Sequence, residues 1–150
     1  MKKFLCSLSL GLAVALAWSL PAMAVCTIST TAVSFGTYNV FSAVALDSTG
    51  TVTYRCGTES NITITLNRGG AATFNPRRML KGSEALNYNL YRDAARTTIW
   101  GDGTGGTQVY FDANPPNNQN VTVNIFGRIP AGQDVTAGSY TNAITATINF

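Results

Sequence analysis

The sequence predicts an all-β domain, a two-sheet sandwich with one edge left open. Three observations carry this. No segment after residue 24 sustains a 3.6-residue apolar period, whereas short alternating runs recur. Gly, Asn, Asp and Pro separate those runs at intervals of about ten residues, a spacing that favours a sandwich over a barrel. The final stretch, residues 140–150, alternates to its last position: Tyr140, Ile144, Ala146, Ile148 and Phe150 share one face, while Thr141, Thr145, Thr147 and Asn149 share the other. A half-buried strand has this period. A strand still running at the last residue is expected to sit at a sheet edge or to be paired by another polypeptide.

The elements follow in chain order. Lys2 and Lys3, an apolar run over 4–20, the breaker Pro21 and the small residues Ala22 and Ala24 have the form of an export signal at 1–24, cleaved after Ala24. Ser7, Ser9 and Gly11 interrupt that run, and it is short for a membrane span. One domain, 25–150, is expected, with no membrane insertion once the signal is gone. Its first strand runs from Cys26 through Ile28 and resumes at Val33 and Phe35, before a turn at Gly36. The second covers 51–56 with Val52, Tyr54 and Cys56 inward, and the third covers 61–66 with Ile62, Ile64 and Leu66 inward. Residues 75–78 read as a loop, with Arg77, Arg78 and Lys81 a solvated basic patch, and Met79 opens a short strand. Leu86, Tyr88 and Leu90 mark the inner face of the next; a turn then leads into Ile99 and Trp100, a short strand follows at 109–111, and a further main strand at 121–126.

Composition narrows the chemistry. Ten Lys and Arg oppose seven Asp and Glu, a net charge of +3 that shrinks when Lys2 and Lys3 leave with the signal. That balance argues against nucleic acid or an anionic membrane surface as the main partner. The chain has no histidine, which removes Ser-His-Asp and Cys-His nucleophile systems and the commonest transition-metal ligand. The carboxylates Asp47, Glu59, Glu84, Asp93, Asp102, Asp112 and Asp134 sit in or beside turn signals. No enzyme activity, cofactor or metal site is expected. Cys26 and Cys56 remain after export into an oxidising compartment, where a disulfide is the default. Tyr91 and Trp100 read either as core aromatics or as a carbohydrate-stacking surface.

Residues 86–104, from Leu86 and Tyr88 through Arg92 and Asp93 to Trp100, Asp102 and Thr104, resemble the signature of the spore coat protein U domain family. The resemblance extends to Cys26, to 35–38, to 50–56, to 125–130 and to 138–150. The family includes subunits of archaic, Csu-type chaperone–usher pili. It implies an incomplete immunoglobulin-like sandwich lacking its last strand, and a disulfide between Cys26 and Cys56. A periplasmic chaperone would supply the missing strand, and another pilus subunit would replace it at the outer-membrane usher. The strand-acceptor edge would then be Tyr140, Ile144, Ala146, Ile148 and Phe150. Shaft subunits of this family need a donor segment ahead of the first cysteine, whereas cleavage after Ala24 would leave Val25 alone. A terminal, adhesive position in the surface fibre is therefore expected. Two other readings stay open: a secreted spore- or cell-coat protein, and a carbohydrate-binding module using Tyr91 and Trp100.

Overall fold

The computed structural model describes residues 25–58 and 61–150; the expected export signal at 1–24 and the carboxylate of Glu59 lie outside them. Eight strands form among the described residues: β1 (Cys26–Thr31), β2 (Leu46–Cys56), β3 (Ile62–Leu66), β4 (Arg77–Lys81), β5 (Glu84–Tyr91), β6 (Tyr110–Asp112), β7 (Val121–Ile129) and β8 (Ala146–Asn149). They build a five-stranded sheet in the order β1-β2-β7-β5-β4 and a three-stranded sheet in the order β6-β3-β8. The strand pairings are antiparallel. The result is an all-β, incomplete immunoglobulin-like sandwich.

Alternation along the strands fills the space between the sheets. Val52, Tyr54 and Cys56 of β2 meet Ile62, Ile64 and Leu66 of β3 in one buried cluster. Leu86, Tyr88 and Leu90 of β5, with Ile125 and Ile129 of β7, complete it. Each such side chain contributes about 1.5–3 kcal/mol by leaving water. Cys26 and Cys56 lie directly opposite in the β1–β2 register and form a disulfide with Cα atoms 4.1 Å apart. A two-residue turn joins β4 to β5, and Gly82 at its first position has φ 59°, which favours glycine.

Three local expectations are corrected by the structure. First, β1 does not resume as a strand at Val33. After Thr31 pairs with Thr51, residues 32–35 fold over the inner face of the large sheet. A Cβ on Gly50 would lie 2.6 Å from the Thr31 carbonyl oxygen, and one on Gly127 would lie 2.6 Å from Val33 Cγ1. Glycine at both positions is what lets the segment lie so low. The Ser48 hydroxyl donates to Ser34 O at 2.6 Å, and the Phe35 ring meets Tyr88 edge-on at 5.9 Å. Second, β2 and β7 run past these glycines instead of stopping near them, because the bare backbone there is covered by the crossing segment.

Third, Arg77 is not part of a solvated patch. It lies in β4 at 0% exposure. Its guanidinium donates to the carbonyls of Asn67 (3.1 Å) and Trp100 (2.6 Å) and to Asn89 Oδ1 (2.9 Å), and it stacks over Phe74. A planar five-donor fork can satisfy three acceptors at once, so the charge ties β4 to its neighbour β5 and to the segments at Asn67 and Trp100. Burial lowers its pKa to about 10, so it stays charged at neutral pH.

Candidate functional site: an open groove between the first and last strands

β1 ends one sheet and β8 ends the other, and these two strands lie beside each other. Among the described residues neither has a second strand partner along its outer edge. The approach to β8 explains why the last strand is shorter than its alternation suggests. Thr141 first pairs with Leu80 of β4 through two backbone bonds of 2.8 and 3.1 Å. The chain then crosses to the small sheet and joins β3 only from Ala146. One continuous strand over 140–150 is thereby replaced by two short pairings in different sheets.

The β3–β8 register fixes which backbone groups remain available. Asn67 N donates to Thr145 O at 3.1 Å, which makes 67 and 145 a bonded pair. Antiparallel alternation then bonds 65 to 147 and 63 to 149. The amides of Ala146 and Ile148 consequently turn away from β3, toward the gap.

Between the two edges opens a cavity of about 300 Å³. Thr30, Thr31, Ala32, Val33 and Phe35 line one wall, and Asn142, Ile144 and Ala146 line the other. Its floor is the sandwich interior: Leu66, Met79, Tyr88, Leu90 and Ile125. Besides Thr30 and Thr31 in the first wall, one hydrogen-bonded polar pair joins the second wall to the floor. Asn142 Nδ2 donates to the Tyr88 hydroxyl at 2.9 Å, while Gly70 N donates to Asn142 Oδ1 at 3.3 Å. Burial raises the Tyr88 pKa, against smaller opposing effects of the Asn142 bond and the Arg77 charge.

Of the residues expected on the acceptor edge, Ile144 and Ala146 line this cavity. Ile148 and Tyr140 are half-buried and pack on the core without lining it. The Tyr140 hydroxyl donates to the Glu84 carboxylate, which also accepts from Thr136 Oγ1 at 2.5 Å. These bonds, the Thr136 one foremost, hold the Glu84 carboxyl below its usual range. Phe150 follows β8, is 58% exposed and stands outside the cavity. The opposite wall was legible only as the Val33/Phe35 alternation, and the floor only as inward strand positions.

The Tyr91–Trp100 surface is corrected. Trp100 is 0% exposed, and its indole N–H donates to Ile64 O at 3.0 Å. Its ring is core and cannot stack on a ligand. Tyr91 is half-buried on β5, paired with Phe126. Several carboxylates do organise turns: Asp93 accepts from the amides of Thr97 and Thr98, and Asp102 from that of Thr104. Asp47 instead sits within β2 and takes a two-pronged bond from Arg128 at 2.7 and 2.8 Å. Among the described residues, no three or more His, Cys, Asp or Glu side chains gather as a metal site.

The fold and its gap define a class: an immunoglobulin-like β-sandwich left open between its first and last strands. The family model for the Spore Coat Protein U domain matches residues 12–147, and the chain belongs to that family. It is 32% identical over 130 residues to Protein U of Myxococcus xanthus, spanning 78% of this chain and 70% of that protein. The fold is also similar, with a TM-score of 0.62 and 22% identity, to a chain in the CsuC–CsuE chaperone–tip adhesion subunit pre-assembly complex from archaic chaperone–usher Csu pili of Acinetobacter baumannii. That likeness covers 85% of this chain, which spans only 40% of the solved one.

Proposed function

We propose that this chain is a structural or adhesive subunit of a chaperone–usher surface fibre, completed by a β-strand from another polypeptide. The observation that carries the reading is the gap between β1 and β8 over an apolar floor. An added strand would bond the gap-facing backbone of Ala146 and Ile148 and set alternate side chains into the cavity. Tyr140, Ile144, Ala146, Ile148 and Phe150 form the acceptor edge in this reading, with Val33 and Phe35 opposite. A cavity of about 300 Å³ has room for about two aromatic-sized groups, since roughly 150 Å³ holds benzene. Buried at about 1.5–3 kcal/mol each, they contribute on the order of 5 kcal/mol before ordering costs.

The family, and a fold shared with a subunit solved with its chaperone, support a sequence of partners: a periplasmic chaperone, then another subunit at the outer-membrane usher. The protein would pass through the periplasm to the cell surface. A terminal position in the fibre rests on the cleavage expected after Ala24, which N-terminal sequencing of the exported protein tests directly. The family's description favours a second reading, a coat protein whose gap is filled within a protective layer.

Co-expression with a periplasmic chaperone of this pathway tests the first reading. It should give a one-to-one complex, and Ile144→Asp, which places a charge in the cavity wall, should abolish it. A stable, soluble monomer without chaperone affinity overturns it.

A further inference from the structure

The groove carries one buried hydrogen-bond donor whose proton has no acceptor. Tyr88 is 4% exposed and lines the cavity together with Asn142. The orientation of the Asn142 amide follows from its other partner. Gly70 N–H can only donate, so the atom facing it is Oδ1, and Nδ2 faces the Tyr88 hydroxyl. The hydroxyl oxygen therefore accepts from Asn142. Its own proton has no partner among the described residues, where the Asn142 bond is the one hydrogen bond the hydroxyl makes. While the gap stands open, solvent can take that proton. An occupant that seals the cavity must take it instead, or leave a buried donor unsatisfied.

We propose that Tyr88 and Asn142 form a polar subsite that fixes the register of the incoming strand by demanding one hydrogen-bond acceptor side chain among its apolar residues. The inference rests on the strand-accepting reading above. A uniformly apolar groove accepts an alternating strand equally well when it slips by two residues, because slippage restores the same pattern. A single polar position removes that degeneracy, since each wrong register buries either the Tyr88 proton or the strand's own polar group unpaired. Thr or Ser suits the subsite: a hydroxyl accepts from Tyr88 and can itself donate to a backbone carbonyl.

The test uses short synthetic peptides that alternate Val with Asn, and a set in which Thr replaces one Val at a time, measured by calorimetry against the mature chain. One Thr position should bind about tenfold more tightly than the all-Val parent, and the others more weakly. Tyr88→Phe should erase that preference. So should Asn142→Asp, whose carboxylate accepts from both Gly70 N–H and the Tyr88 hydroxyl. The two variants reach the same outcome by different chemistry, so poor folding of one does not decide the matter. If Val peptides bind but no Thr position is preferred, or the preference survives in both variants, the subsite is refuted while the groove stands. If no peptide binds, the strand-accepting reading fails and this inference falls with it.

Discussion

Replacing Gly127 with alanine tests how the groove's first wall is held. The new Cβ would lie 2.6 Å from Val33 Cγ1 and 2.7 Å from Phe35 Cζ. Carbon atoms in contact prefer about 3.5–4.0 Å, so the crossing segment must rise by about 1 Å. Overpacking of this kind costs about 1–3 kcal/mol. Removing a mid-strand glycine returns about 0.5–1 kcal/mol of backbone entropy. The net expectation is a loss of about 1–2 kcal/mol, or several degrees in melting temperature for a domain of this size. Gly70→Ala is the control, because a Cβ there meets nothing within 4 Å. Chemical denaturation of Gly127→Ala, Val33→Ala and the double variant gives the coupling. Trimming Val33 relieves the clash, so the double variant should lose about 1 kcal/mol less than the two single losses added together. A neutral Gly127→Ala with no coupling to Val33 would mean that residues 32–35 do not lie on β7, and the wall assigned to them would be wrong.

Three further outcomes are expected. Cys26→Ser with Cys56→Ser opens a loop with a sequence separation of 30, and denaturant midpoints should report a loss of about 3–4 kcal/mol on the chain-entropy account. Trp100→Ala should cost about 3–5 kcal/mol through the cavity it leaves, whereas a near-neutral change would contradict its place in the core. The Glu84 carboxyl titrates below 4.5 when folded, so its stabilisation is present above that value and is lost as pH falls through the folded pKa. Glu84→Gln should therefore flatten the acid dependence of the urea midpoint, and an unchanged slope would remove Glu84 from the contacts that pin residues 136–140.

Alternation exposed most of the strands, because an inward Ile, Tyr or Leu at every second position has one physical reading in a two-sheet protein. The inner faces of β3 and β5 were legible for that reason. Glycines were the harder residues. Gly50 and Gly127 look like turn signals, yet each sits mid-strand beneath a crossing segment, and only the three-dimensional approach of residues 31–35 distinguishes the cases. Arg77 misled for a related reason. Neighbouring basic residues suggest a solvated patch, and the three carbonyl and amide acceptors that hold this guanidinium come from residues 67, 89 and 100. Trp100 could be read as surface or core until Ile64 O appeared beside its N–H. On the groove, Ile144 and Ala146 followed from periodicity, whereas Phe150 shared that period and stands outside the cavity. Periodicity assigns a face but not where the facing element stops.

Residue-resolved amide hydrogen exchange on β8, with and without a bound strand, is the most direct measurement of whether the sandwich is unfinished. Thr145 and Thr147 are engaged with the β3 side in either state and should be protected throughout. The amides of Ala146 and Ile148 should exchange quickly in the isolated chain and become protected only when a partner strand is bound. Slow exchange at both positions in the isolated chain would mean that its own backbone already closes that edge, and no strand would be needed from elsewhere.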